Sequence, residues 1–162
     1  MHDTINGYQY WHGYKEVQEM SQSDGFYTMK GYALNADGEL TTAMEDYLEM
    51  ISRLTRQNES VRVSDLSKML HVKASSVTKM VQQLGQFGLI QAEKYGDIYL
   101  TDKGQEAGNY LLYRHEVLHR FLCVLNHSDN ELEQVEKIEH FLNRATVKNL
   151  ELELLTAHLT ET

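Results

Sequence analysis

The 162-residue chain contains no proline, and it has no Gly-rich or Ser-rich linker. A chain without proline has few rigid turns and no ring-imposed helix breaks, which points to a mostly helical fold. Cysteine is almost absent too: Cys123 stands alone, which excludes an intramolecular disulfide and any thiolate-based zinc cluster. Its setting in FLCVLN reads as a buried core thiol. No run approaches the roughly 20 apolar residues needed to cross a bilayer. The start, MHDTINGYQY, lacks the basic and apolar regions of a secretory signal, so a cytoplasmic protein without membrane contact is expected.

Positive charge is also scarce, with 15 Lys and Arg against 24 Asp and Glu. A net charge of −9 argues at first sight against nucleic acid, whose binding is dominated by Lys and Arg on phosphates. The distribution argues otherwise. Residues 1–59 carry four basic and ten acidic side chains, 60–104 carry six and four, and 105–162 carry five and ten. Only the middle third is positive. The first 39 residues have no clear period, yet they hold Tyr8, Tyr10, Trp11, Tyr14, Phe26, Tyr27 and Tyr32, too many aromatics for an ordinary disordered tail. They read as an extension that packs on something, followed by a DNA-binding domain over 40–104 and a helical domain over 105–162.

From Thr42 the pattern sharpens. Thr42 and Glu45 match a capping box, and Met44, Tyr47, Leu48, Ile51 and Leu54 form an apolar stripe at helical spacing up to about Gln57. Ser64 is expected to cap a second helix over 65–70, and the turn HVKAS leads to a third over 75–86 that Gly88 ends. Two short helices joined by a tight turn are the pattern of a helix-turn-helix, and LIQAEKY and DIYLT flanking Gly96 read as a β-hairpin wing. A mainly α fold follows: a winged helix-turn-helix and then an all-helical domain with helices near 102–125, 129–142 and 146–159. The apolar positions of the last, Val147, Leu150, Leu154, Leu155 and Leu159, suit a bundle or a subunit interface.

A wheel of 100° per residue turns Val77, Met80, Val81 and Leu84 of the third helix inward. Ser75, Ser76, Thr78, Lys79 and Gln82 are left to meet base edges and phosphates, with Lys73 in the turn and Lys94 in the wing placed for the backbone. A polar helix face can equally contact only water. The turn, the wing and the local positive charge together select DNA. The basic charge is modest for one copy, so two copies on one duplex are expected.

A second set of residues has metal-ligand chemistry. Asp46 and Glu49 share one helical face at i, i+3, although alone this pair reads as a solvated face with Glu49 paired to Arg53. Glu136, Glu139 and His140, at i, i+3, i+4, are more pointed, because closely spaced Glu and His on a bundle helix recur at di-metal centres. His115 sits mid-helix in LLYRHEVLHR, and by itself such a histidine is more often a structural residue than a ligand. His119, one turn on, has no neighbouring donor that asks for it.

The stretches LTTAMEDYLEMI, SSVTKMVQQL, YRHEVLHRFL and VEKIEHFLN, together and in this order, resemble the manganese-regulator branch of the diphtheria toxin repressor family over residues 40–159. The resemblance implies a metal-gated transcriptional regulator, not an enzyme, that represses manganese uptake genes as a homodimer on a palindromic double-stranded operator. It implies no small-molecule substrate. It also implies the ligand set Asp46, Glu49, His115, Glu136, Glu139 and His140, for two Mn²⁺ per subunit. The iron-responsive branch has Met at position 46 and Cys at position 136, so this chain departs toward harder ligands, which suit Mn²⁺. Two carboxylates about 5 Å apart repel by roughly 3 kcal/mol at an effective dielectric of 20, a cost that a bound cation removes. Where the family often starts the recognition helix with His-Pro, this chain has Lys73 and Ala74. Rival readings are an iron- or zinc-responsive member of the family, a metal-independent winged-helix regulator and a di-metal hydrolase. The hydrolase lacks any nominated general base or substrate pocket.

Overall fold

The computed structural model of the protein describes residues 40–57, 60–93 and 96–160. The aromatic extension, Lys94 and the side chain of Leu159 lie outside the described residues. Helix α1 spans Thr42–Thr55 and buries Met44, Tyr47, Leu48 and Ile51 of the stripe its spacing predicts, with Leu54 half-buried at its end. Its cap is Thr41, one residue before the expected Thr42: the Thr41 hydroxyl accepts from the Met44 N–H at 3.3 Å. Adjacent threonines compete for the capping position, and with Thr41 as the cap the third helical position is Met44, so Glu45 closes no box and its carboxylate pairs with Arg114 and His140 instead.

Helix α2, Val63–Met69, starts ahead of Ser64, because the Arg62 N–H already donates to the Asp65 carboxylate at 3.1 Å. The turn that follows holds His71 in the left-handed region, φ 54, and Ser67 braces it by donating to the Val72 carbonyl at 2.6 Å. Helix α3, Ala74–Gln86, begins without a proline and ends as expected at Gly88, whose φ of +70 only glycine adopts without strain. Strands β1, Ile90–Ala92, and β2, Ile98–Leu100, pair antiparallel with Ile90 opposite Leu100, and Val61 adds a single bridge to Ile98. The hairpin is thus shorter than its sequence pattern, and its Ile90 and Ile98 turn into the core.

Helix α4 runs from Asp102 to Asn126, about 37 Å at 1.5 Å per residue. Thr101 caps it, accepting from the Gly104 N–H and donating to the Gly88 carbonyl, which ties the start of α4 to the end of α3. Helix α5 is short, Leu132–Ile138, and passes into a 3-10 turn, Glu139–Phe141, where one helix over 129–142 was expected. Asn130 sets the late start by accepting from the Leu132 N–H, and at the far end the ladder tightens to the bond from the Leu142 N–H to the Glu139 carbonyl. Helix α6, Arg144–Thr160, is capped by Asn143 through the Thr146 N–H. Val147 and Leu154 are buried on it, but Leu155 is exposed, so the expected stripe is only partly inside.

The apolar residues form two clusters. One gathers α1, α2, α3 and the hairpin around Leu48, Ile51, Leu66, Val77, Leu84 and Ile98; the other gathers Leu118, Leu122 and Val135. Helix α4 belongs to both, through Leu111 and Leu118. Two glycines let its backbone close on the first cluster. A Cβ at Gly104 would stand 1.8 Å from the Leu89 carbonyl oxygen, and one at Gly108 1.8 Å from the Ser52 hydroxyl. That approach brings the far face of α1 level with the middle of α4. Among the described residues no helix is long and apolar enough to cross a membrane.

Candidate metal centre and DNA-reading face

Turned away from the apolar stripe of α1 are Glu45, Asp46 and Glu49; opposite them stand Arg114 and His115 of α4 and the 3-10 turn after α5. His115 is buried, and its Nδ1 lies 3.2 Å from Glu139 Oε2, 3.6 Å from Glu49 Oε1 and 3.7 Å from Glu136 Oε1. His140 Nε2 lies 2.9 Å from Asp46 Oδ1 and 4.0 Å from Glu139 Oε1. All six residues are therefore brought into one contiguous cluster, with Glu139 at its middle, one carboxylate oxygen facing each histidine. Glu49, His115 and Glu139 form its most enclosed part, their donor atoms all within 4.8 Å of one another. Glu139 is 1% exposed, whereas the Glu136 side chain, reaching in from the last turn of α5, is 59% exposed.

The electrostatics are those of a site crowded with charge of one sign. Burial pushes the Glu49 carboxyl above the usual range, with Glu139 beside it adding to the rise and Arg53, whose Nε donates at 3.0 Å, opposing it. The hydrogen bond with Glu139 raises the His115 imidazole above its ordinary value in spite of burial. His140 is pushed up to about 10 by its hydrogen bonds to Asp46 and Glu45. A carboxylate at each ring nitrogen makes it a doubly protonated imidazolium. The donor set, carboxylates and imidazoles with no sulfur, fits a hard divalent cation, which would neutralise the carboxylates that face the two histidines.

Two residues of this cluster were not singled out from the sequence. Glu45 Oε2 accepts from His140 Nδ1 at 2.7 Å and from Arg114 Nη2 at 2.8 Å. Burial works against its charge, but these two bonds outweigh it and hold its carboxyl below the usual range. Arg114 is 2% exposed. A signal for it was available: an arginine on the stripe of Leu111, His115, Leu118 and Leu122 has no route to water and must find an acid. Among the described residues His119 has one hydrogen-bond partner, Cys123 at 3.7 Å, and Cys123 itself is half-buried, not fully inside the core as expected. It sits on α4 next to the exposed Val124 and Leu125, where the helix leaves the second cluster.

On the other side of the first cluster, Lys73, Ser75, Ser76, Thr78, Lys79 and Gln82 are all exposed, while Val77, Val81 and Leu84 point inward. Thr78 donates to the Ala74 carbonyl at 3.0 Å. Thr78 and Gln82 line a groove of about 780 Å³ between α3, the start of α2 and the hairpin, across which Arg62 pairs with Asp97 at 2.9 Å.

Two family models match adjoining segments of the chain: the N-terminal DNA-binding domain of the iron-dependent repressors over residues 39–98, and their metal-binding and dimerisation domain over 101–157. The chain is 43% identical over 104 residues to the HTH-type transcriptional regulator MntR of Bacillus subtilis (strain 168), covering 64% of this chain and 73% of that one. It is 44% identical over the same length to the MntR of Geobacillus kaustophilus (strain HTA426), covering 74% of it. Among solved structures it is similar to the manganese regulator SloR, at 30% identity and a TM-score of 0.61 over 71% of this chain, and spans 54% of that longer protein. It is also similar to a manganese-dependent transcriptional repressor in complex with manganese, at 26% identity and a TM-score of 0.59 over 68% of this chain and 52% of that one. A helix-turn-helix reading head carried against a buried cluster of carboxylates and imidazoles, matched over both parts, identifies the chain as a member of the iron-dependent repressor family of metal-dependent, DNA-binding transcriptional regulators, which are not enzymes.

Proposed function

We propose that this protein is a manganese-responsive repressor of manganese uptake genes, a cytoplasmic homodimer that reads a palindromic operator when two divalent cations per subunit are held by Asp46, Glu49, His115, Glu136, Glu139 and His140. The reading rests above all on Glu139, a buried carboxylate set between His115 and His140 with α1 acids beyond each. Six oxygen and nitrogen donors without sulfur favour Mn²⁺ over softer ions, and relatives of 43–44% identity bear the name MntR. Four ligand carboxylates balance two divalent charges, while the fifth acid, Glu45, is already matched by Arg114.

Bound cations supply positive charge between carboxylates that otherwise repel. The chain supplies the coupling. Asp46 and Glu49 ride on α1, whose other face is the core of a reading domain over residues 40–104, and Glu136, Glu139 and His140 belong to a helical domain over 105–162. Holding these groups together fixes the orientation of α3 with respect to the dimer, and so the spacing of two recognition helices across half-sites about 34 Å apart. Moving such a dimer from 1:99 to 99:1 competent needs about 5.5 kcal/mol of differential metal affinity. Exposed Leu125, Leu132, Phe141, Leu152 and Leu155 provide an apolar surface for the second subunit. Lys73, Ser75, Ser76, Thr78, Lys79, Gln82 and Lys94 form the DNA-reading set.

The test is a titration. A duplex selected from a random library with the Mn²⁺-loaded protein is expected to bind more than tenfold more tightly as free Mn²⁺ rises, with Glu136→Ala and His140→Ala each abolishing the response. Equal affinity in chelator and in Mn²⁺ ends the proposal and leaves a metal-independent winged-helix regulator. Repeating the titration with Fe²⁺, Zn²⁺ and Co²⁺ at matched free-ion levels distinguishes manganese from the other triggers.

A further inference from the structure

We propose that Glu45 is a positioning residue of the metal centre: it holds His140 by Nδ1, so that Nε2 is the nitrogen presented to Asp46 and Glu139, and Arg114 holds Glu45 in turn. The inference rests on the metal reading above and adds to it a pair of residues outside the ligand set.

Its basis is the placement of two adjacent acids. Glu45 and Asp46 are neighbours on α1, about 100° apart around the helix, and they grip the imidazole of His140 from its two nitrogens, Glu45 at Nδ1 with 2.7 Å and Asp46 at Nε2 with 2.9 Å. Only the Nε2 side also faces Glu139. A histidine ring rotated by half a turn about its Cβ–Cγ bond would exchange Nδ1 with a ring carbon and Nε2 with another, so an acceptor fixed at Nδ1 selects one of two rotamers and one tautomer. Glu45 is that acceptor. Its Oε2 takes two hydrogen bonds at once, from His140 Nδ1 and from Arg114 Nη2, and the 3.3 Å between those nitrogens is the separation of two donors sharing one oxygen.

Arg114 explains why Glu45 is a support and not a seventh ligand. A guanidinium 2.8 Å from the Glu45 carboxylate, buried in α4, keeps a like charge away from that oxygen. Among the described residues Glu45 is the one carboxylate paired with it, and its Nε has no partner. The result is a chain from Arg114 through Glu45 and His140 to Asp46 that runs from α4 to α1, to the 3-10 turn and back to α1.

Four versions of the full chain test this: the protein itself, Glu45→Met, Glu45→Gln, and the double variant Glu45→Met with Arg114→Met. The double variant removes the buried pair together and so leaves no unpaired guanidinium if the single variant fails to fold. Mn²⁺ affinity is read by calorimetry, and the ligating nitrogen of His140 by ¹¹³Cd–¹⁵N coupling in Cd²⁺-loaded protein with labelled histidine. Coupling to Nε2 alone is expected in the unaltered protein and in Glu45→Gln, whose amide oxygen still accepts from Nδ1. Loss or division of that coupling, with affinity lower by about 10- to 100-fold, is expected in both methionine variants. Methionine variants with unaltered coupling and affinity overturn the inference. Equal losses in Glu45→Gln and Glu45→Met also overturn it, by making Glu45 a ligand. Uptake of neither ion by the unaltered protein overturns the metal reading itself.

Discussion

On the proposed ligand set, loading the metal centre has to displace a proton from His140, and the number displaced at mild alkaline pH can be worked out. With its imidazole pushed up to about 10 by Asp46 and Glu45, only about 1% of His140 is free of the Nε2 proton at pH 8, whereas an ordinary histidine near 6.5 is about 97% neutral there. The sign follows from the direction of the shift. A raised value means the proton is held more tightly than usual, so it competes with the cation by about 100-fold at pH 8 and by about 1000-fold at pH 7, and the competition fades as pH approaches 10. Apparent Mn²⁺ affinity should therefore climb about tenfold per pH unit from pH 7 to 8.5, with about one proton released per subunit from His140 throughout. His115, also raised, can only steepen the slope. The assay is anaerobic calorimetry in two buffers of different ionisation enthalpy, with His140→Ala as the reference that should release about one proton fewer. Affinity that is flat from pH 7 to 8.5, with no proton release at pH 8, would refute the reasoning, because it would mean that His140 carries no proton for the ion to displace.

Two further outcomes are expected. Gly108→Ala, which in an exposed helix would stabilise by about 1 kcal/mol, should here destabilise by about 1–3 kcal/mol in urea unfolding, because the added Cβ meets the Ser52 hydroxyl at 1.8 Å; Ser52→Gly in the same chain should recover part of the loss. Lys79→Ala, which removes an exposed cation from α3, should weaken operator binding and lower the slope of log affinity against log salt by about one; an unchanged slope would take Lys79 off the phosphate backbone.

Much of the fold was legible because helical spacing is a strong signal. The stripes of α1 and α3 told which sides face inward, and the exposed residues of α3 are those that the wheel leaves out. Ends were less legible. Thr41 and Thr42 offer the same hydroxyl, so only the local geometry decides which one caps, and Asn143 outbids Thr146 for the start of α6 by taking the Thr146 N–H itself. The helix over 129–142 was split by a change of pitch at Glu139, to which periodicity is blind across three residues. Within the candidate site, Asp46 and Glu49 also show why local reading was insufficient. The pairing of Glu49 with Arg53 that a solvated face predicts is present, and yet the same carboxylate is buried against α4. Glu45 was read only as half of a capping box, because its partners in the site lie 69 and 95 residues away in the chain. No spacing rule carries that distance.

Helix α1 also has almost no idle side. Most water-soluble helices divide into an inner flank that tolerates little and an outer flank that drifts freely. Here Met44, Tyr47, Leu48 and Ile51 are locked into one interior while Glu45, Asp46 and Glu49 are engaged with α4 and the 3-10 turn, and Ser52 is pressed against Gly108. The exposed residues of the helix are Thr42, Ala43 and Arg53, and Arg53 is itself paired with Glu49. A segment of fourteen residues with so little slack behaves as a rigid lever, in which a shift of the acidic flank by a fraction of an ångström cannot be absorbed by side chains and is passed whole to the body on the other flank.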